Sequence, residues 1–105
     1  MNFLQLKYFV AVYEFGTVSE AADYLHIAQP SLSLAIKELE REFGALLFHR
    51  KHKGMSITPE GEMLLSLARE ILEKVEAAEK VMRELGENKK LLQTHYITNI
   101  MLMHF

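Results

Sequence analysis

Apolar residues recur at helical spacing from the start of the chain. Phe3, Leu6, Phe9, Val10 and Tyr13 trace one stripe that stops at Gly16, which predicts an amphipathic first helix with its aromatic stripe in the core. A shorter helix follows, with Ser19 as its expected cap and Glu20 favourable in its first turn. Ala21 and Ala22 are small enough to let two helices approach closely. A third helix is predicted to begin at Gln29-Pro30, proline suiting a first helical position, and to end near Gly44. Leu25, Ile27, Leu32, Ile36 and Leu39 then face inward, leaving Gln29, Ser31, Ser33 and Lys37 outside. Two short helices around a tight turn, the second opening on small and hydroxylated residues, suit a helix-turn-helix. In that motif the first helix braces and the second enters the major groove of DNA.

Residues 46–50 and 55–58 read as two short strands around the basic, glycine-containing turn Lys51-His52-Lys53-Gly54, a hairpin placed as the wing of a winged helix-turn-helix is. Thr58-Pro59-Glu60 then opens a long helix with a hydroxyl cap, a proline and an acid near the positive helix end. Along it Leu64, Ala68, Ile71, Val75, Ala78, Met82 and Leu85 alternate at spacings of four and three, a heptad seam. A lone helix with so apolar a side exposes too much surface, so a symmetric partner is expected to cover it. The expected organisation is therefore a winged helix-turn-helix over residues 1–58, a linker and dimerisation helix over 59–88, and a tail over 89–105 in which no clear period is visible. The fold class is mainly α.

Composition narrows the function. At 105 residues the chain holds one small domain with an appended helix, and half its residues are hydrophobic. It has no cysteine, which removes a disulfide framework, a thiolate zinc site and a cysteine nucleophile. No secretory signal is read at the N-terminus, and residues 97–105 are too short to span a bilayer, so a cytoplasmic protein without a membrane partner is expected. The net charge is −2, yet its distribution matters more than its sum. Residues 28–58 carry five lysines and arginines against three glutamates, whereas residues 59–88 carry eight glutamates against four cations. The acidity belongs to the last helix and the candidate DNA face is basic.

Several ordered motifs resemble the N-terminal DNA-binding region of LysR-type transcriptional regulators. They are Leu6-Lys7-Tyr8-Phe9-Val10-Ala11-Val12, then Ala21-Ala22 with Leu25, then Gln29-Pro30-Ser31-Leu32-Ser33 with Ile36 and Leu39-Glu40. Gly44, Leu47-Phe48-His49-Arg50 and Thr58-Pro59-Glu60-Gly61 continue the match, which covers about residues 1–88. The resemblance implies a winged helix-turn-helix, a linker helix that pairs antiparallel between two subunits, and assembly into dimers or tetramers. Such regulators are usually about three times longer and carry a C-terminal α/β domain that senses a small molecule. Residues 91–105 do not read as the beginning of that domain, so a DNA-binding fragment is expected, with no small-molecule inducer acting on it. Leu34 also departs from the family, which often has a basic or polar residue there. A leucine can touch a thymine methyl but forfeits a hydrogen bond to a base edge.

The candidate DNA-binding residues follow. Gln29, Pro30, Ser31, Ser33 and Leu34 lie at the head of the third helix, with Lys37 one turn on; for Gln29 and Ser31 the rival role is capping that helix. Thr17 and Ser19 open the bracing helix, where a hydroxyl and free backbone N–H groups can hold a phosphate. Arg50, Lys51 and Lys53 supply the wing's salt-dependent attraction. His49 and His52 make a poor metal pair without cysteine or a nearby acid, and no catalytic triad, phosphate loop or paired-carboxylate pocket is evident. Neither metal, cofactor nor enzyme activity is expected. The expectation is a sequence-specific regulator of transcription that reads double-stranded DNA as a homodimer on a roughly palindromic operator. The rival is a protein-interaction module that pairs through the heptad helix.

Overall fold

The computed structural model describes residues 1–88, and the tail expected over 89–105 lies outside them. In chain order it contains α1 (Phe3–Phe15), α2 (Val18–Leu25), α3 (Gln29–Phe43), β1 (Phe48–Lys51), β2 (Gly54–Ile57) and α4 (Pro59–Glu87). Two units divide the chain, the first being Met1–Leu72 and the second beginning at Glu73. No helix among the described residues is long and apolar enough to cross a membrane.

The start of α1 is set by a reciprocal cap that hydrophobic periodicity does not reveal. Asn2 Oδ1 accepts from the Gln5 amide at 2.8 Å, and Gln5 Oε1 accepts from the Asn2 amide at 3.0 Å. Gly16, left-handed at φ 77°, ends the helix. Leu6, Phe9, Val10 and Val12 are buried, but Phe3 and Tyr13, expected in the same stripe, are exposed. Phe3 is the first residue of the helix and Tyr13 lies in its last turn, and both carry cations over their rings instead, Lys7 over Phe3 and Arg69 over Tyr13.

Thr17, in extended backbone, caps α2 by accepting from the Glu20 amide at 3.1 Å. Ser19 therefore lies inside the helix and is not its cap, because a cap must stand before the first helical residue and reach an amide three positions on. The turn into α3 contains no glycine. His26 adopts φ 57° there while its amide bonds Asp23, and the Ile27 amide bonds Ala22. Histidine is among the residues that tolerate this region best. Ala21 and Ala22 are fully buried in the same core cluster as Leu32, Ile36 and Leu39.

The hairpin is shorter than its sequence pattern. β1 begins at Phe48 rather than Leu46, because the backbone of residues 46 and 47 is engaged elsewhere. Glu40 Oε2 accepts from the Leu47 amide at 2.8 Å and more weakly from the Phe48 amide at 3.4 Å. The Leu47 carbonyl accepts from the Thr58 amide at 3.0 Å, and the Thr58 hydroxyl donates to the Leu46 carbonyl at 2.6 Å. Phe48 then packs on Phe9 with ring centroids 5.3 Å apart. Glu40→Ala leaves two amides without their acceptor, and is expected to lower the unfolding free energy by about 1–3 kcal/mol in urea titrations. Glu40→Gln, which keeps an acceptor oxygen, should lose less.

Thr58 also accepts from the Gly61 amide at 2.9 Å, the expected hydroxyl cap of α4. Leu65 and Ala68 of this helix are buried in the core, and Leu64 and Leu72 pack against it. The first compact unit consequently ends at Leu72, not at residue 58. Ala68, expected on the dimer seam, is 0% exposed within the protein's own core and cannot meet a partner. Leu64 is turned to the same core. A heptad count cannot separate a partner's surface from the protein's own, since both require the same apolar period.

Candidate nucleic-acid interface

The face of α3 opposite the core carries the residues expected to read DNA. Leu32, Ala35, Ile36 and Leu39 are buried, which at 3.6 residues per turn puts Pro30, Leu34, Lys37 and Arg41 along the outermost line. All four are exposed, Leu34 by 52%. Ser33 is half-buried on the flank shared with Gln29, and Ser31 is exposed on the opposite flank. Ala28 stands at the N-cap and makes no side-chain cap bond, so neither Gln29 nor Ser31 caps the helix. Gln29 takes the first helical position and Pro30 the second, where a missing N–H costs no helical bond. Gln29 Nε2 instead donates to Ser19 Oγ at 3.1 Å, joining the heads of α2 and α3.

Electrostatics favour an anion on this face. The three acids of α3 point elsewhere: Glu40 to the Leu47 amide, Glu42 to the N-terminal ammonium at 2.7 Å, and Glu38 to Gln5 Nε2 at 3.4 Å. Among the described residues no ion pair involves Lys37, Arg41, Arg50, Lys51 or Lys53. Arg41 is an addition to the residues expected from sequence. The signal for it is a spacing of four from Lys37, which repeats a helical face.

The wing is fastened beside the head of α2. Its strands pair antiparallel, Phe48 with Ile57, His49 with Ser56, Arg50 with Met55 and Lys51 with Gly54, leaving His52 and Lys53 at the tip. The Met55 amide donates to the Gly16 carbonyl at 3.0 Å. A Cβ on Gly54 would fall 2.7 Å from that same oxygen, and its φ of 137° favours glycine as well. This docking opens a cleft lined by Thr17, Val18 and residues 50–55. Arg50, Lys51 and Lys53 lie on its wall with Thr17, and no acid lines it. The arrangement can hold phosphate oxygens at the wing while α3 meets base edges.

Three helices with a tight turn between the second and third, followed by a docked two-stranded wing, define a winged helix-turn-helix protein. Residues 3–62 match the model of the bacterial regulatory helix-turn-helix proteins of the lysR family. The chain belongs to that family. It is 40% identical over 87 residues to the nitrogen assimilation regulatory protein nac of Escherichia coli (strain K12), covering 83% of this chain and 28% of that protein. It is 43% identical over 88 residues to the transcriptional regulator BsdA of Bacillus subtilis (strain 168), covering 83% and 30%. The chain thus spans less than a third of the length of these relatives. Among solved structures, the DNA-binding domain of BenM in complex with catB site 1 DNA superposes with a TM-score of 0.78 at 37% identity, covering 82% of this chain and 96% of that one. The CbnR DNA-binding domain bound to DNA gives 0.75 at 38% identity, covering 82% and 99%.

Proposed function

We propose that this protein regulates transcription by sequence-specific binding to double-stranded DNA. The observation that carries the reading is that neither the outer line of α3 nor the lining of the wing cleft contains an acid. The cations of both are unpaired among the described residues, while the glutamates of α3 are satisfied elsewhere. The DNA complexes of the similar BenM and CbnR domains support the same use of the fold. In this reading the head of α3 selects bases through Gln29, Pro30, Ser33 and Leu34. Thr17, Ser31, Lys37, Arg50, Lys51 and Lys53 hold phosphates and fix register. In this reading the protein acts in the cytoplasm, by binding.

A homodimer through α4 would place two such units on the half-sites of a roughly palindromic operator. Support comes from apolar side chains that the chain leaves exposed, Met63, Leu67 and Ile71 in the first unit and Val81 and Met82 in the second. Val75 is half-buried and Ala78 exposed, whereas Leu85 is buried. The partner-facing stripe therefore runs through Leu67 and Ile71 rather than Leu64 and Ala68. Ile71→Glu should convert the dimer to monomer in sedimentation without loss of helical signal; an unchanged dimer removes α4 as the interface.

The test of the whole reading is selection from a random duplex pool at low and near-physiological salt. Recovery of an inverted repeat at both is the expected result. Retention without a motif, abolished by salt, would leave only generic phosphate attraction and overturn the reading.

A further inference from the structure

Ser19 and Gln29 meet across the turn, Gln29 Nε2 donating to Ser19 Oγ at 3.1 Å. Both residues are exposed, and neither side chain caps its own helix, since Thr17 caps α2 and Ala28 stands before α3. A single bond between exposed side chains adds little to stability. Its consequence is orientational. A free glutamine amide turns about its terminal torsion and offers its oxygen or its nitrogen to a partner. The bond to Ser19 Oγ fixes where the amide lies, and with Nε2 as its donor it commits one of the two hydrogens. Oε1 and the second hydrogen are left as an adjacent acceptor and donor.

We infer that Ser19 is a positioning residue for base selection by Gln29, holding the amide where its free acceptor and donor can match adenine. Adenine presents an N6 donor beside an N7 acceptor in the major groove, which complements Oε1 and the remaining Nε2 hydrogen. Guanine presents O6 and N7, both acceptors, and would set Oε1 against an acceptor. The inference rests on the reading of α3 as the groove helix. It differs from a role in which the Ser19 hydroxyl holds a phosphate on its own account.

Four variants separate these roles: Ser19→Ala, Ser19→Thr, Gln29→Ala and the double variant Ser19→Ala/Gln29→Ala. In the free protein, exchange of the Gln29 side-chain amide hydrogens, followed by NMR, should be slower in wild type and Ser19→Thr than in Ser19→Ala. In duplex selection, Gln29→Ala should relax one adenine-containing base pair per half-site. Ser19→Ala should relax the same pair by about 2- to 10-fold, the worth of one ordinary hydrogen bond. Ser19→Thr should restore it, and Ser19→Ala should add nothing in the Gln29→Ala background. Equal weakening of every duplex by Ser19→Ala, or a further loss on top of Gln29→Ala, would mean a direct phosphate contact and would overturn the inference. So would amide exchange that is unchanged in free Ser19→Ala. If Gln29→Ala leaves all base preferences intact, the assignment of Gln29 as a reader fails, while the free-protein exchange still decides whether Ser19 orients it.

Discussion

Gly61→Ala is expected to destabilise the protein by about 2–3 kcal/mol, near the upper part of the usual range for overpacking. Local propensity argues the opposite, because alanine exceeds glycine in a helix by about 1 kcal/mol. Packing overrides it here. Gly61 lies buried in the first turn of α4, where a Cβ would run into the Leu47 carbonyl oxygen and stand 2.6 Å from Ile57 Cγ1. The carbonyl cannot move away freely, since it accepts from the Thr58 amide at 3.0 Å. The Gly61 amide is itself tied to Thr58 Oγ1. Relief therefore requires α4 to lift from the hairpin, loosening Leu65 and Ala68 in the core. Urea unfolding monitored by helical signal measures the change. A variant as stable as wild type or more so would show that the helix start is free to adjust.

Replacing Arg50, Lys51 and Lys53 together by alanine should reduce the slope of log affinity against log salt by up to about 2.7, at about 0.9 for each B-DNA phosphate no longer neutralised. Binding would then fall far more at low salt than at high salt. The motif recovered in selection should stay the same, because phosphate contacts position the protein without reading sequence. The fold should tolerate the change, since all three side chains are exposed and make no ion pair among the described residues. Titrations of one operator duplex across a salt series give the slope directly. An unaltered slope would remove the wing from the interface, leaving Lys37 and Arg41 to supply the attraction.

These two cases differ in how far the amino-acid order reveals them. The wing cations are legible because charge clusters on a turn need no long-range information, and the turn residues themselves mark the hairpin. The helices, the tight turn of the motif and the inward set Leu32, Ile36 and Leu39 are legible for a similar reason. Period and local chemistry are written along the chain. Arg41 is hidden among three glutamate neighbours that suggest a neutralised charge, whereas those carboxylates turn to the N-terminal ammonium, Gln5 and the Leu47 amide.

Period and turn residues are thus enough to specify six elements in order and a mainly α winged helix-turn-helix. They cannot tell a surface meant for a partner from one meant for the chain itself, so the heptad count puts Ala68 on a dimer seam although it is core. They cannot show that Ser19 meets Gln29, that Gly61 must lack a side chain, or that Gly54 docks the wing on Gly16. Each of these depends on the distance between residues remote in sequence, and that distance exists only once the helices have packed.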